Sequence, residues 1–315
     1  MLLNNLHTKV FDTEGSNLLI IDPTSKNIDK ISVPECDHVT LSPLFDDKFL
    51  CFKNFYDYKK LIISICPFDS PSDTLSSVTV TAESLDFSGD SSLWEMVPRY
   101  FIEYLDYKQG KKDYRLIDLK TVPDSGFFPV PPWYDDKSFD KGHSPICSIL
   151  QMPNSTFLLF SVKKHPSLIL YDPNKQTVVK EIKLDNGSGL PSLVLSNDQS
   201  EMWSDDYDTL LKFSIPDFKV LNSIQLQATE SYTIQGHTFP YKKFIGDFSL
   251  SPDEKYCAVA RPYSNDVVLL DTETFKIIST SKSQKQPLTV ALLPNLEYVC
   301  RDWKTGDIEF GRFDL

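Results

Sequence analysis

A repeated pattern of short strands constrains this chain more than any other feature. Residues 248–280 read FSLSPDEKYCAVARPYSNDVVLLDTETFKIIST. Apolar runs are divided there by Ser-Pro-Asp-Glu and Asp-Thr-Glu-Thr, whose side chains bond nearby backbone and favour turns. The alternation in GDFSLSP suits a strand with one buried face, and the unbroken run in NDVVLLDT suits burial on both. With KYCAVARP and FKIISTS these make four consecutive strands, a β-meander. The pattern returns along the chain, with turn anchors at positions 43, 98, 153, 197, 252 and 294, which stand 42–55 residues apart. The third run is its most regular part: LLIID, LIISI, RLIDL, LILYD, LLKFS, VVLLD and DIEFG. No segment holds a 3.6-residue apolar period, so the chain is expected to be almost entirely β.

A length of 315 residues accommodates two ordinary domains or one large all-β domain, and the continuous repeat points to a single domain over 1–315. With 44 acidic against 32 basic residues the formal charge is −12. Such a chain repels a phosphate backbone, so nucleic acid is not an expected partner. The sequence begins MLLNNLHTKVFD, without a basic segment followed by a long apolar one, and no apolar stretch reaches membrane-spanning length. A cytoplasmic protein with reduced thiols and no membrane partner is expected. None of the six cysteines forms a Cys-x-x-Cys pair. Cys51, Cys257 and Cys300 sit in matching second-strand runs and are expected to be buried and free.

The stretch LSPDEKYCAVARPYSNDVVLLDTETFKIIST resembles a blade of the YVTN/WD40-like β-propellers, and LILYDPNKQTVVKEIKL resembles the second half of one. The match is good over 147–315 and looser over 1–146. It departs from the WD40 pattern in lacking Gly-His before and Trp-Asp after each unit. Glu254 stands where the YVTN turn usually has Gly. The resemblance implies a fold and carries no activity with it. The expected architecture is an all-β propeller of seven blades, mostly of four antiparallel strands, or six blades if the two ends merge. The last unit shows only three strands, so an N-terminal strand is expected to complete it and close the ring.

Three inserts interrupt the spacing: 67–92, 122–145 and 227–247. The second contains Phe127, Phe128, Trp133 and Tyr134 among prolines, and the third contains His237, Phe239 and Tyr241. Proline lowers the entropic cost of presenting side chains, and aromatic residues dominate interaction hot spots. These seven residues are the candidate partner-binding set; sealing a blade junction is the competing role for the aromatics. No catalytic residues, metal ligands or cofactor emerge. The five histidines are scattered, there is no Gly-x-Ser-x-Gly elbow, and no phosphate-cradling glycine loop appears. Acid clusters at Asp46–Asp47, Asp135–Asp136–Asp140 and Asp205–Asp206–Asp208 read as solvated turns.

The favoured function is a non-enzymatic protein-binding module or scaffold. Its acidity suits a basic protein partner, with sequestration or inhibition as a specific form. The alternative is a metal-dependent lactonase or hydrolase with carboxylates gathered at a central channel, a site that sequence spacing does not reveal.

Overall fold

The computed structural model describes residues 2–3, 9–14, 16–34, 36, 38–41, 48–55, 60–81, 93–95, 99–106, 111–118, 146–152, 158–162, 167–172, 175, 177–183, 193–206, 208–226, 232–234, 237–239, 245–283 and 285–315. Among them are seven antiparallel sheets of three or four strands and one hairpin. The first sheet comprises Leu2–Leu3, Val10–Glu14, Asn17–Asp22 and Asn27–Ser32. The second has His38–Leu41, Lys48–Phe55, Lys60–Pro67 and Ser76–Thr81. The third has Leu93–Glu95, Arg99–Asp106 and Lys111–Asp118. The fourth has Ile146–Gln151, Leu158–Val162, Ser167–Asp172 and Thr177–Lys183. The fifth has Leu193–Leu195, Glu201–Asp206, Thr209–Ser214 and Val220–Gln225. The hairpin Tyr232–Ile234/His237–Phe239 follows. The sixth has Asp247–Leu250, Tyr256–Arg261, Asp266–Asp271 and Lys276–Lys282. The seventh has Pro287–Leu292, Glu297–Asp302 and Ile308–Arg312.

Strands lie side by side in chain order in every sheet. The connections between strands one and two, and three and four, therefore share one end, here the turn end. Those between strands two and three, and from a fourth strand to the next sheet, share the other, the loop end. The third strands of the fourth and sixth sheets are packed on both faces: Ser167–Asp172 is buried at all six positions and Asp266–Asp271 at five. Fourth strands face solvent, as in Thr177–Lys183. Helix among the described residues is limited to the 3-10 turns Pro262–Ser264 and Pro294–Leu296, and none is long and apolar enough to cross a membrane.

Apolar clusters join neighbouring sheets. Phe11, Leu18, Val39 and Phe49 join the first and second. Leu168, Met202 and Phe213 join the fourth and fifth. Trp203, Leu210, Phe248 and Val268 join the fifth and sixth. Ala258, Leu269, Val290 and Tyr298 join the sixth and seventh. The first and seventh also meet, through Val10 and Ile21 against Ala291, Leu293 and Val299. Arg301 donates from Nη1 to Asp12 Oδ2 across this junction at 3.0 Å.

Contact between the chain's two ends takes a different form from the expected shared strand. Among the described residues Leu2–Leu3 pairs with Val10–Phe11 in its own sheet, and the seventh sheet keeps three strands. A two-residue strand paired with a close neighbour in sequence closes only a short loop, which costs little chain entropy. The first and last sheets meet by their faces.

One aromatic recurs at the junctions. Phe218 and Phe275 each lie four residues beyond the third strand, where each backbone N–H bonds back to that strand's last carbonyl. Phe275 stacks on Trp203 of the preceding sheet at 5.2 Å. Phe218 packs in the cluster shared with the fourth sheet. Phe68 stacks on Phe11 of the first sheet at 3.8 Å, and Phe313 tilts onto Tyr298 in the cluster shared with the sixth. Cys51, Cys257 and Cys300 are buried and free, as expected.

Candidate partner-binding surface

The loop end of the sixth and seventh sheets holds a hydrogen-bonded polar and aromatic arrangement. Asp302 closes the second strand of the seventh sheet. Its carboxylate accepts the N–H groups of Gln286 at 2.7 Å, Lys304 at 2.8 Å and Thr305 at 2.6 Å. Burial pushes this carboxyl up, but the donors from Gln286, Thr305 and Lys304 outweigh it and hold it below the ordinary value. The turn is thereby fixed, and Gly306 completes it at a φ of 73° that favours glycine. Lys285 pairs with Asp307 at 2.7 Å beside it.

This turn presents Trp303, whose backbone N–H donates to Gln286 O at 2.9 Å and whose surface is 45% exposed. Tyr263 meets its ring edge-on at 5.6 Å and 87°. Tyr263 comes from the 3-10 turn after Arg261, and that turn is also held. Arg261 donates twice to Asp266, Nε to Oδ1 and Nη2 to Oδ2, both at 2.8 Å, with both side chains buried. Lys282 adds a third contact to Asp266 at 3.2 Å. Two rings on two rigid turns lose little entropy on binding, as an interaction anchor requires.

Nearer the inner strands, Asp247 accepts Val290 N–H at 3.1 Å and Ser249 accepts Leu292 N–H at 3.1 Å. Side chains of the sixth sheet thus satisfy backbone donors on the innermost strand of the seventh. Burial drives the Asp247 carboxyl above its ordinary value, against the opposing N–H groups of Val290 and Phe248.

The acid cluster of the fifth sheet corrects the sequence reading. Asp205, Asp206 and Asp208 are buried rather than solvated. The strand continues to Asp206, which carries these groups into the packed sheet. Asp208 is held by Gln225 Nε2 at 3.0 Å and Thr209 Oγ1 at 3.0 Å. Among the described residues no group of three His, Cys, Asp or Glu side chains converges as a metal site would.

Of the seven candidate binding residues, His237 and Phe239 fall in the hairpin, where His237 pairs with Ile234 and Phe239 with Tyr232. The hairpin belongs to the connection that leaves the fifth sheet at Leu226 and enters the sixth at Asp247, so it is part of the loop end. Phe127, Phe128, Trp133, Tyr134 and Tyr241 lie outside the described residues, as do Asp46–Asp47 and Asp135–Asp136–Asp140. Trp303 and Tyr263 were missed in the sequence. Nothing in CRDWKTGD or RPYSND marks them in the sequence, and only the three-dimensional pairing distinguishes them.

No family model matches the chain, and no curated protein matches it. Solved structures do. The Cps50 (Swd1) β-propeller domain of Myceliophteria thermophila superposes with a TM-score of 0.62 at 12% identity, covering 99% of this chain and 95% of that one. This chain is a β-propeller. A chain of a mitotic checkpoint complex is similar to this propeller with a TM-score of 0.60 at 9% identity, covering 99% and 88%. Kuenenia stuttgartiensis hydrazine synthase is similar to it at 0.58 and 10%, covering 98% and 94%. At these identities the likeness concerns the propeller fold alone, which carries many unrelated functions.

Proposed function

We propose that this propeller is a protein-binding module that docks its partner on the loop end, with Trp303 and Tyr263 as the anchor. The observation that carries the reading is the half-exposed Trp303, set against Tyr263 on a turn fixed by three N–H groups to Asp302. Tryptophan and tyrosine lead the residues that dominate binding energy. His237, Phe239 and Tyr241 flank this anchor in the reading, and the insert with Phe127, Phe128, Trp133 and Tyr134 supplies further contacts. The seven sheets are read as seven blades. A net charge of −12 suits a basic partner and speeds its encounter. One structural neighbour is a chain within a multiprotein complex, which is consistent with a scaffold role.

The test is affinity capture from a lysate of the native host, with quantitative mass spectrometry and thermal melts on the same proteins. Trp303→Ala is expected to weaken the captured partner by about 2 kcal/mol or more, the order of a hot-spot anchor. Its Tm should stay close to wild type, since the ring is half exposed. A partner retained at full strength by Trp303→Ala would remove the loop end as the docking surface.

A further inference from the structure

The junction between the first and seventh sheets lacks the aromatic that seals other described junctions. The residue four positions beyond the third strand is Phe218 in the fifth sheet and Phe275 in the sixth, and it is Lys26 in the first. All three share the left-handed backbone, at φ of 59°, 53° and 57° for Lys26, Phe218 and Phe275. A cavity of about 270 Å3 opens at this junction, lined by Pro23, Lys26, Leu293, Glu297, Phe310 and Arg312. It is open to solvent on one side, with Leu293 and Phe310 as its apolar wall. Beside it runs Ile308–Arg312, which has no fourth strand among the described residues, although five of the other six sheets have one. The strand is correspondingly half exposed, where the third strand Asp266–Asp271 is buried at five of six positions.

We propose that this edge and cavity receive an extended segment of a partner protein, which adds a fourth strand to the seventh sheet and places an apolar side chain in the cavity. Strand addition draws affinity from backbone bonds and specificity from pockets under alternate side chains. The chain's own fourth strands define what fits: in five sheets a strand of six or seven residues lies antiparallel on this edge. Every second residue of an added strand faces the first sheet beside Phe310, whose ring belongs to the cluster there. The others face Gly311, where any Cβ would collide with the Tyr298 ring. The buried Tyr298 ring fills the space over that glycine, so the strand's own side chains project only on the Phe310 face there. Charge sets the flanks. Lys26 and Arg312 stand at the mouth with the single acid Glu297, which lies opposite Arg312 in the strand register. One positive charge is left over, so the segment carries an Asp or Glu next to its apolar anchor. This site is at the turn end, away from Trp303, and is tested separately from the loop-end surface.

A phage-displayed random heptapeptide library panned on the full chain gives the test, followed by titration of a fluorescein-labelled synthetic copy of the enriched peptide. Alternating apolar sequences with Asp or Glu are expected to be enriched. Lys26→Phe should reduce peptide affinity at least tenfold and keep or raise Tm, because Phe218 and Phe275 already occupy this backbone conformation. Lys26→Gln should cost only a few-fold, and Trp303→Ala nothing. No enrichment, or a peptide indifferent to Lys26→Phe, would overturn the proposal. So would a concentration-dependent dimer lost in Phe310→Lys, which assigns the edge to a second copy of this chain.

Discussion

Ser196 and Ser251 build the same turn in two sheets. Each hydroxyl donates to the Asp two residues on, Asp198 at 2.7 Å and Asp253 at 2.8 Å. Each accepts the N–H of the second strand's first residue, Glu201 or Tyr256, at 3.0 Å. Gln199 and Glu254 then take φ of 59° and 56°. This explains how Glu254 stands where related turns carry glycine: the backbone is the one glycine prefers, and its Oε1 is used to accept Asn197 N–H at 2.5 Å. In the first of these turns Ser200 N–H, then the Ser196 and Ser200 hydroxyls, hold the Asp198 carboxyl down to about 2. A depressed folded pKa stabilises above the unfolded value near 3.9 and loses that contribution as pH falls towards the folded one. Asp198→Asn should therefore flatten the fall of Tm between about pH 4 and pH 2, measured as melts across that range. A fall as steep as wild type's would show that Asp198 does not govern it. The Ser-Pro-Asp turn was legible because its bonds are local. Burial of Asp205, Asp206 and Asp208 was not, because it is decided by neighbouring chain far away in sequence.

At the scale of strands, the third-strand motif was readable because burial on both faces leaves an unbroken apolar run, as in VVLLD. The fourth strands hide a feature that sequence does not show. In the fourth, fifth and sixth sheets the pairing slips by one residue at the same place, adding Val179, Leu221 and Ile278. Each bulge leaves two adjacent apolar residues outside, such as Ile277 at 43% and Ile278 at 40% exposure. Bulges on outer strands also spoil edge-to-edge pairing between molecules. The contrast with the sealing aromatics is testable within one sheet. Phe275→Ala removes a ring stacked on Trp203 and should cost about 3 kcal/mol in urea unfolding. Ile278→Ala, three residues on, should cost well under 1 kcal/mol, as surface changes do. Equal costs would mean that the Phe275 ring contributes no more than an exposed side chain. The role of Phe275 was not legible, since DTETFK and DPTSKN both read as polar turns after an apolar strand until the junctions are compared.

At the scale of the whole molecule, the first and last sheets meet through Val10 and Ile21 against Ala291, Leu293 and Val299. Deleting residues 1–16 strips two strands of the first sheet and uncovers Ala291, Leu293 and Val299. The truncated protein is expected to melt in a single transition at a lower temperature, followed by calorimetry. An unchanged Tm, or a small separate transition beside an unchanged main one, would show that the two ends are energetically independent. That the ends meet was readable from the incomplete last repeat; that they meet by faces was not, because a two-residue strand such as Leu2–Leu3 leaves almost no trace in sequence. The same contact has a consequence in time. Val10 and Ile21 are synthesised before the residues that cover them, which come some 270 positions later. At about 5–20 residues per second, that apolar face waits roughly a quarter of a minute to a minute before its partner exists. During that interval this face of the first sheet lacks its cover from the seventh, and exposed apolar surface of that kind is prone to association with other chains.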